Sequence, residues 1–184
     1  DANGTLLDNH TPEKGGKWRL FNYYESGRIL NGQFAGRSLG WWDTGYGRYY
    51  NDGASFADGY VEADILTSNT YVSAGLYGRY RPEGRGIVAF LYNASGWPYN
   101  MRLRIYEISG YYSYLLDDVP SGHQDNVFAT VRMEFKGNTV KTYVNGVLKS
   151  TVTVHYTGAG YVGIGAASYR ISFSRVDNLK AGSE

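Results

Sequence analysis

The feature that most constrains the fold of this chain is a regular alternation of apolar and polar residues in short segments. Val61, Ala63 and Ile65 alternate with acidic residues, and the same period of two recurs at 100–108 and 127–135. Because successive side chains of a β-strand point to opposite faces, each segment is predicted to be a strand with one buried and one solvated face. Such strands are typical of antiparallel sheets. No window of 11 or more residues keeps the apolar spacing of a helix without interruption by glycine or β-branched residues.

The same pattern predicts further strands and the turns between them. Asn145 and Gly146 separate two alternating runs, and an Asn-Gly pair accepts the positive φ angles of a tight hairpin turn. Residues 136–138 form a similar turn, so 127–154 is predicted to be a three-stranded meander. Residues 36–55 show no strand period and are predicted to be a long loop. The remaining predicted strands are 17–23, 26–32, 71–80, 86–93, 160–168 and 170–181.

Ten or more short strands predict an all-β fold, a two-sheet antiparallel β-sandwich or jelly roll. The chain has 184 residues with no repeat and no linker, so residues 1–184 are predicted to form a single domain. An aromatic content of 16% excludes a disordered chain, and the absence of cysteine excludes disulfides and thiolate sites. A net charge of +1 gives no reason to expect a nucleic-acid partner, and no apolar run is long enough to span a membrane.

Three segments resemble concanavalin A-like lectin and laminin-G-like jelly-roll domains of the kind found in bacterial and phage proteins. They are the opening 3–18, the hairpin 134–152 and the closing strands within 160–181. The resemblance implies the same two-sheet jelly roll. The strand that usually precedes the opening segment is missing or reduced to Asp1 and Ala2. This departure implies a trimmed piece of a larger chain, or a strand donated by a partner.

Domains of this fold include lectins, carbohydrate-binding modules, glucan hydrolases, alginate lyases and structural virion domains, so the fold does not decide the function. The resemblance implies an E-x-D-x-x-E strand for a retaining glucanase, which needs two carboxyl groups. Here Glu62 and Asp64 fit the motif, but Thr67 stands in place of the second glutamate. A lyase would use Tyr and His, and no histidine lies in a Gln-x-His strand motif; the three are His10, His123 and His155. An enzyme is therefore the least favoured class.

Aromatic clusters are the strongest candidates for a binding site. Sugar rings stack on aromatic rings, while their hydroxyl groups bond to charged and amide side chains. The same residue types also suit protein–protein contacts or a buried core, and the sequence leaves these alternatives open. The predicted ligand-binding residues are Trp41, Trp42, Asp43, Tyr46, Arg48, Tyr49, Tyr50, Asp52, Trp97 and Tyr99. A further aromatic group is Tyr111, Tyr112 and Tyr114.

Arginines interleaved with tyrosines form a second candidate surface. The residues are Arg79, Arg81, Arg85, Arg102 and Arg104. These arginines could bind an acidic polysaccharide or single-stranded nucleic acid. The favoured alternative is that they pair across strands with Glu62, Asp64 or Glu107. Lectin-like sandwiches often hold Ca²⁺, for which Asp177 and Asp8 are the weakly supported candidate ligands.

The sequence therefore predicts a non-catalytic carbohydrate-binding domain of a secreted or phage virion protein, located outside the cell or on a virion surface. The alternative is a structural module, such as a virion decoration, tail-fibre or filament subunit. Its aromatic surface and an open sheet edge would then contact copies of itself or other virion or surface proteins.

Overall fold

The structure is a computed structural model that describes residues 6–9, 15–21, 27–36, 44–67, 72–93, 101–169 and 172–183. Helical structure within these ranges is limited to one 3-10 turn, Leu7–Asn9, and the described chain contains no helix long and apolar enough to cross a membrane. The strands are β1 (Trp18–Leu20), β2 (Gly27–Leu30), β3 (Gln33–Gly36), β4 (Thr44–Phe56), β5 (Gly59–Leu66), β6 (Ser73–Arg81), β7 (Arg85–Asn93), β8 (Met101–Ser109), β9 (Tyr112–Pro120), β10 (Ala129–Lys136), β11 (Thr139–Val144), β12 (Val147–Thr153), β13 (Gly160–Tyr169), β14 (Ser172–Phe173) and β15 (Arg175–Gly182).

These strands form two antiparallel sheets. The eight-stranded sheet has the order β1-β4-β13-β6-β7-β8-β9, with β14 paired to β13. The seven-stranded sheet has the order β12-β11-β10-β5-β15-β3-β2. The predicted all-β two-sheet antiparallel sandwich is confirmed.

The inner faces of the two sheets share one hydrophobic core. Leu103 and Ile105 of β8 and Val131 and Met133 of β10 are all fully buried in it. Along β5, β8 and β10, buried and half-buried residues alternate at a period of two, as the sequence predicts. One side chain in two is therefore left on the outer face of its sheet.

The predicted meander corresponds to β10, β11 and β12. Val144 pairs with Val147 across a two-residue turn, in which φ is 51° at Asn145 and 76° at Gly146. Positive φ at both central residues is what a type I′ hairpin turn requires, so this prediction is confirmed.

The predicted long loop at 36–55 is wrong for most of its length. Residues 44–56 form β4, the longest described strand, which pairs with β1 on one side and β13 on the other. Glycines and polar residues at both alternating positions hide the period of two in this segment. Strand β9 is missing from the prediction for a related reason, because most of its side chains are half-buried or exposed.

Candidate functional site

The outer face of the eight-stranded sheet carries a second apolar cluster, which we call the aromatic platform. Because the inner positions of β7 and β8 belong to the main core, the alternate residues of these strands lie on the outer face. Several platform side chains are buried and the others are half-buried. The platform consists of Phe21, Tyr50, Tyr77, Tyr80, Val88, Phe90, Tyr106 and Ile108.

Strand register explains how these side chains meet. Directly paired residues of neighbouring strands point to the same face and lie close together. One row across β4, β13, β6, β7 and β8 reads Tyr50, Gly163, Tyr77, Val88 and Tyr106. The next row reads Arg48, Gly165, Gly75, Phe90 and Arg104, and ends at Asp118 of β9.

Glycines give the platform room for its rings. A Cβ atom added to Gly165 would lie 3.0 Å from the Tyr77 ring, and one added to Gly75 would lie 2.6 Å from the Phe90 ring. The rings therefore lie directly against glycine backbone. Phe21 completes the packing, stacking on Tyr80 with ring centroids 3.8 Å apart and meeting Tyr77 edge-on at 4.6 Å.

Beside the platform, four side chains form a polar group that we call the Asp118 network. The Asp118 carboxylate accepts hydrogen bonds from Arg102 Nε at 2.5 Å, Arg104 Nε at 2.9 Å and the Tyr92 hydroxyl at 3.1 Å. The Arg104 guanidinium also lies 4.1 Å from the centroid of the Tyr92 ring. Burial alone would raise the pKa of the Asp118 carboxyl, but the bonds from both arginines and Tyr92 outweigh it and hold that pKa below its usual value. Asp118 is therefore a fixed carboxylate that orients two guanidinium groups.

The sequence predicts part of this surface. Arg48 lies 5.6 Å from the Phe21 ring centroid, and Tyr50 stacks on Tyr161 at 5.3 Å, so both belong to the outer face. Asp52 is bonded to Arg19 Nε and to the Lys17 amide, and these bonds lower the pKa of its carboxyl.

Tyr49 is a correction to the predicted ligand-binding set. Its side chain is fully buried in the main core, where its hydroxyl oxygen lies 3.1 Å from the Gly27 amide. It points to the opposite face from Arg48 and Tyr50, because neighbouring residues of a strand alternate. Of Tyr46 the structure describes only the backbone, in β4 opposite Ala167. The other predicted binding residues, Trp41, Trp42, Asp43, Trp97 and Tyr99, lie outside the described residues.

Arg79 is a correction to the predicted arginine surface. Its side chain is completely buried and its guanidinium donates to the carbonyl groups of Ala57, Tyr156 and Gly137. It also bonds to Asp58 at 3.2 Å. Arg79 therefore joins turns inside the molecule and is not available to a ligand.

Arg102 and Arg104 pair across strands, as predicted, but the predicted partners are wrong: both bond to Asp118, not to Glu62, Asp64 or Glu107. Asp118 lies on β9, a strand that was not predicted. Tyr92, Phe90 and Tyr106 were overlooked as well. The signal for them was that β7 and β8 carry large side chains at both alternating positions.

The outer face of the seven-stranded sheet also carries charged side chains that bond to one another. Arg132 bonds to Glu134 at 2.8 Å, lies 3.6 Å from Glu62 and covers the Tyr60 ring at 3.9 Å. Lys180 bonds to Glu62 as well, at 3.3 Å. The partial glucanase motif lies here, on the sheet opposite the aromatic platform.

Two of the three histidines lie in the described chain, and each contacts a buried partner. Ser121 Oγ lies 2.8 Å from His123 Nδ1, and burial lowers the pKa of His123. Ser121 is itself 1% exposed and donates to the Met101 carbonyl, so its hydroxyl is inaccessible. His155 is bonded through its amide to buried Glu107. His10 lies outside the described residues.

The predicted calcium ligands stay a prediction. Asp177 accepts bonds from Gln33 Nε2 at 3.1 Å and from the Asn178 amide at 2.8 Å. Asp8 lies in the 3-10 turn, and its side chain is not described. Within the described ranges, His, Asp and Glu residues form no group of three that could hold a metal ion.

No protein-family model matches the sequence, and no curated protein sequence is significantly similar to it. Solved structures are similar in fold. One is the carbohydrate-binding module CBM66 from Bacillus subtilis, with a TM-score of 0.72 and 15% identity over 90% of this chain and 95% of that one. The chain has the concanavalin A-like jelly-roll fold. The carbohydrate recognition domain of Emp47p has a TM-score of 0.67 and 14% identity, over 98% of this chain and 94% of that one. A β-glucanase from Bacillus licheniformis has a TM-score of 0.65 and 14% identity, over 100% of this chain and 99% of that one.

Proposed function

We propose that this jelly roll is a non-catalytic carbohydrate-binding domain whose site is the aromatic platform with the adjoining Asp118 network. One observation carries the proposal: half-buried rings and oriented arginines share the outer face of one sheet. The apolar faces of sugar rings stack on the exposed surfaces of aromatic side chains, which are large and apolar. Guanidinium and carboxylate groups at the edge supply the directional bonds that sugar hydroxyls need.

The size of the surface favours an oligosaccharide. Arg48 and Arg104 are four strand spacings apart in one register row, which is about 19 Å at the usual distance between strands. That distance is larger than a single sugar ring. Trp41, Trp42, Trp97 and Tyr99, which lie outside the described residues, stay predicted members of the site.

The placement of carboxylates supports binding without catalysis. The proposed site contains the carboxylate of Asp118, which is already bonded to two arginines and a tyrosine. Glu62, the first residue of the partial glucanase motif, lies on the other sheet and is bonded to Lys180. Retaining hydrolysis needs a pair of carboxyl groups about 5–5.5 Å apart on either side of the scissile bond. Fold neighbours that bind carbohydrate are also consistent with the proposal.

A structural role is the second candidate, and strand β9 favours it. Tyr112, Tyr114 and Leu115 are more than half exposed at this edge of the eight-stranded sheet. An exposed apolar edge strand can pair with the same strand of another copy. This candidate corresponds to a filament or virion subunit, and both candidates suit a protein outside the cell or on a virion.

The proposed function is tested with a glycan array of neutral and acidic oligosaccharides. We expect binding to a subset of glycans and at least a tenfold loss of affinity in Tyr106→Ala and Trp41→Ala. Tyr60→Ala is the matched control, because Tyr60 is a half-buried tyrosine on the opposite face. Its affinity should equal that of the unmodified protein.

Two results would count against carbohydrate binding. The first is no binding to any glycan at millimolar concentration by a folded protein. The second is glycan binding that Tyr106→Ala and Tyr60→Ala reduce equally. Light scattering on the same samples separates the structural candidate: stable oligomers that Tyr114→Ser dissociates would favour it over a binding module.

A further inference from the structure

The Asp118 network carries more positive than negative charge. Two guanidinium groups, those of Arg102 and Arg104, bond to one carboxylate, so one positive charge remains. Both side chains reach solvent, Arg104 being 38% exposed and Arg102 24% exposed. Tyr92, the fourth member, adds no charge, since a tyrosine hydroxyl is protonated at neutral pH, and burial and its bond to Asp118 raise its pKa further. This surplus charge lies beside the apolar platform.

Arg104 also keeps unused hydrogen-bond donors. Arg104 bonds to Asp118 through Nε, and Arg102 bonds to it through Nε and Nη2. Among the described residues, neither terminal nitrogen of Arg104 has an acceptor. A guanidinium group has planar donors that match the oxygens of a carboxylate or a sulfate. The donors that remain are therefore suited to an anionic group.

Arg104 is held in place before any ligand arrives. Asp118 fixes its Nε, and the Tyr92 ring lies 4.1 Å below its guanidinium carbon. A group that is already oriented loses less conformational freedom on binding. Phe90 pairs with Arg104 in the register and lies on the same face. A sugar ring stacked on Phe90 would bring a substituent within reach of the Arg104 terminal nitrogens.

We propose that the ligand of this site is an acidic polysaccharide, whose carboxylate or sulfate groups bind Arg102 and Arg104 while its rings stack on the platform. This inference rests on the proposed function and adds the chemical class of the ligand. Charge complementarity distinguishes an acidic glycan from a neutral one, since a neutral ligand would leave the surplus charge uncompensated.

Matched polymers test the inference by isothermal titration calorimetry. Polygalacturonate presents carboxylates and is compared with neutral galactan. Dextran sulfate presents sulfates and is compared with neutral dextran. We expect at least one acidic polymer to bind at least tenfold more tightly than its neutral counterpart, and raising NaCl from 50 to 300 mM to weaken that binding because exposed charges are screened. The preferred polymer identifies the anionic group.

Substitutions assign the effect to these arginines. Arg104→Gln and Arg102→Gln should each reduce affinity for the acidic polymer at least fivefold, whereas Arg104→Lys, which keeps the charge, should retain more affinity than Arg104→Gln. Arg132→Gln is the matched control, because Arg132 also bonds to a carboxylate and covers a tyrosine ring, but on the other sheet. Its affinity should be unchanged. Circular dichroism melting confirms that each variant is folded. If Arg104→Gln fails to fold, the affinities of Arg102→Gln and Arg104→Lys for the acidic polymer, each compared with that of the unmodified protein, test the inference.

Each outcome has one consequence. Equal affinity for acidic and neutral polymers would refute the inference that the ligand is acidic. Binding of an acidic polymer that the Arg102 and Arg104 variants leave intact would refute the inference that it binds at these arginines. Both results leave the proposed carbohydrate-binding function standing. Failure to bind any polymer or arrayed glycan overturns the proposed function itself. Binding of single-stranded DNA as tightly as the best acidic polymer also overturns the inference, because the site would then recognise charge without recognising sugar.

Discussion

At the scale of single residues, buried charged side chains connect segments that are distant in sequence. Glu107 is 5% exposed on the inner side of β8, and its carboxylate accepts hydrogen bonds from the amides of His155 and Tyr156. Those residues follow β12, which belongs to the other sheet. The bonds therefore attach the connection between β12 and β13 to the eight-stranded sheet.

Glu107→Gln should lower the free energy of unfolding at neutral pH and should make that free energy less sensitive to acid. Burial would raise the pKa of the Glu107 carboxyl, but the two amide donors and His155 outweigh it and place that pKa below the ordinary 4.5. The carboxylate therefore stabilises the fold at neutral pH, and this contribution is lost as pH falls from the unfolded-state pKa through the lower folded-state value. We expect a loss of about 2 kcal/mol at pH 7.

Urea unfolding at pH 7, 5, 4 and 3 checks this prediction. The free energy of unfolding should fall less between pH 5 and 3 in Glu107→Gln than in the unmodified protein. Glu83→Gln, at an exposed turn, is the control and should change neither quantity. Parallel acid profiles for Glu107→Gln and the unmodified protein would refute the role given to this carboxylate.

Arg79 shows why some residues cannot be placed from sequence. The period of two is broken at a bulge in β6, where the register shifts and Arg79 takes a φ of 51°. Its burial depends on three carbonyl groups from distant turns, which no local pattern reports. By contrast, Val61, Ala63 and Ile65 need only the alternation of their own strand to be assigned to the core.

At the scale of elements, the turn between β11 and β12 is specified by two residues. Asn145 and Gly146 take the positive φ angles that the turn requires, and the Asn145 side chain also accepts a bond from the Thr130 amide at 2.9 Å. This hairpin is therefore predictable from sequence, because the determining residues are adjacent.

Gly146→Ala should destabilise the hairpin through conformation alone. A Cβ atom at this position would have no neighbour within 4 Å, so no clash contributes. The cost is that of a left-handed conformation for an L-residue, roughly 1 kcal/mol. Chemical denaturation measures it, and Val147→Ala, an exposed change next to it, should cost under about 0.5 kcal/mol. A Gly146→Ala protein as stable as the unmodified one would contradict the turn conformation.

Strand β4 illustrates the limit at this scale. Its pairing with β13 determines that it is a strand, and β13 lies more than a hundred residues further along the chain. Locally, Gly45, Gly47 and Gly53 favour a loop. The candidate site was only partly predicted for the same reason: the sequence pattern identifies Arg102 and Arg104, but only strand pairing brings Asp118 to them.

At the scale of the whole molecule, the two sheets are interleaved along the chain. Strand β13 lies between β4 and β6 in one sheet, and β15 lies between β5 and β3 in the other. The Ser174 hydroxyl, just before β15, bonds to the Ser73 carbonyl of β6 at 2.8 Å. Neither sheet can therefore be completed before the end of the chain is in place, and the sheets share a single core.

This arrangement predicts one cooperative unfolding transition. Ile105→Ala removes core volume from the eight-stranded sheet, and Met133→Ala removes it from the seven-stranded sheet; both residues are fully buried. Each change should cost about 2–5 kcal/mol, and each should move the whole transition. Far-UV circular dichroism and intrinsic fluorescence should give coincident urea curves for all three proteins, as two-state unfolding requires. Separate midpoints for the two probes in either variant would show that the sheets unfold independently, contrary to a shared core.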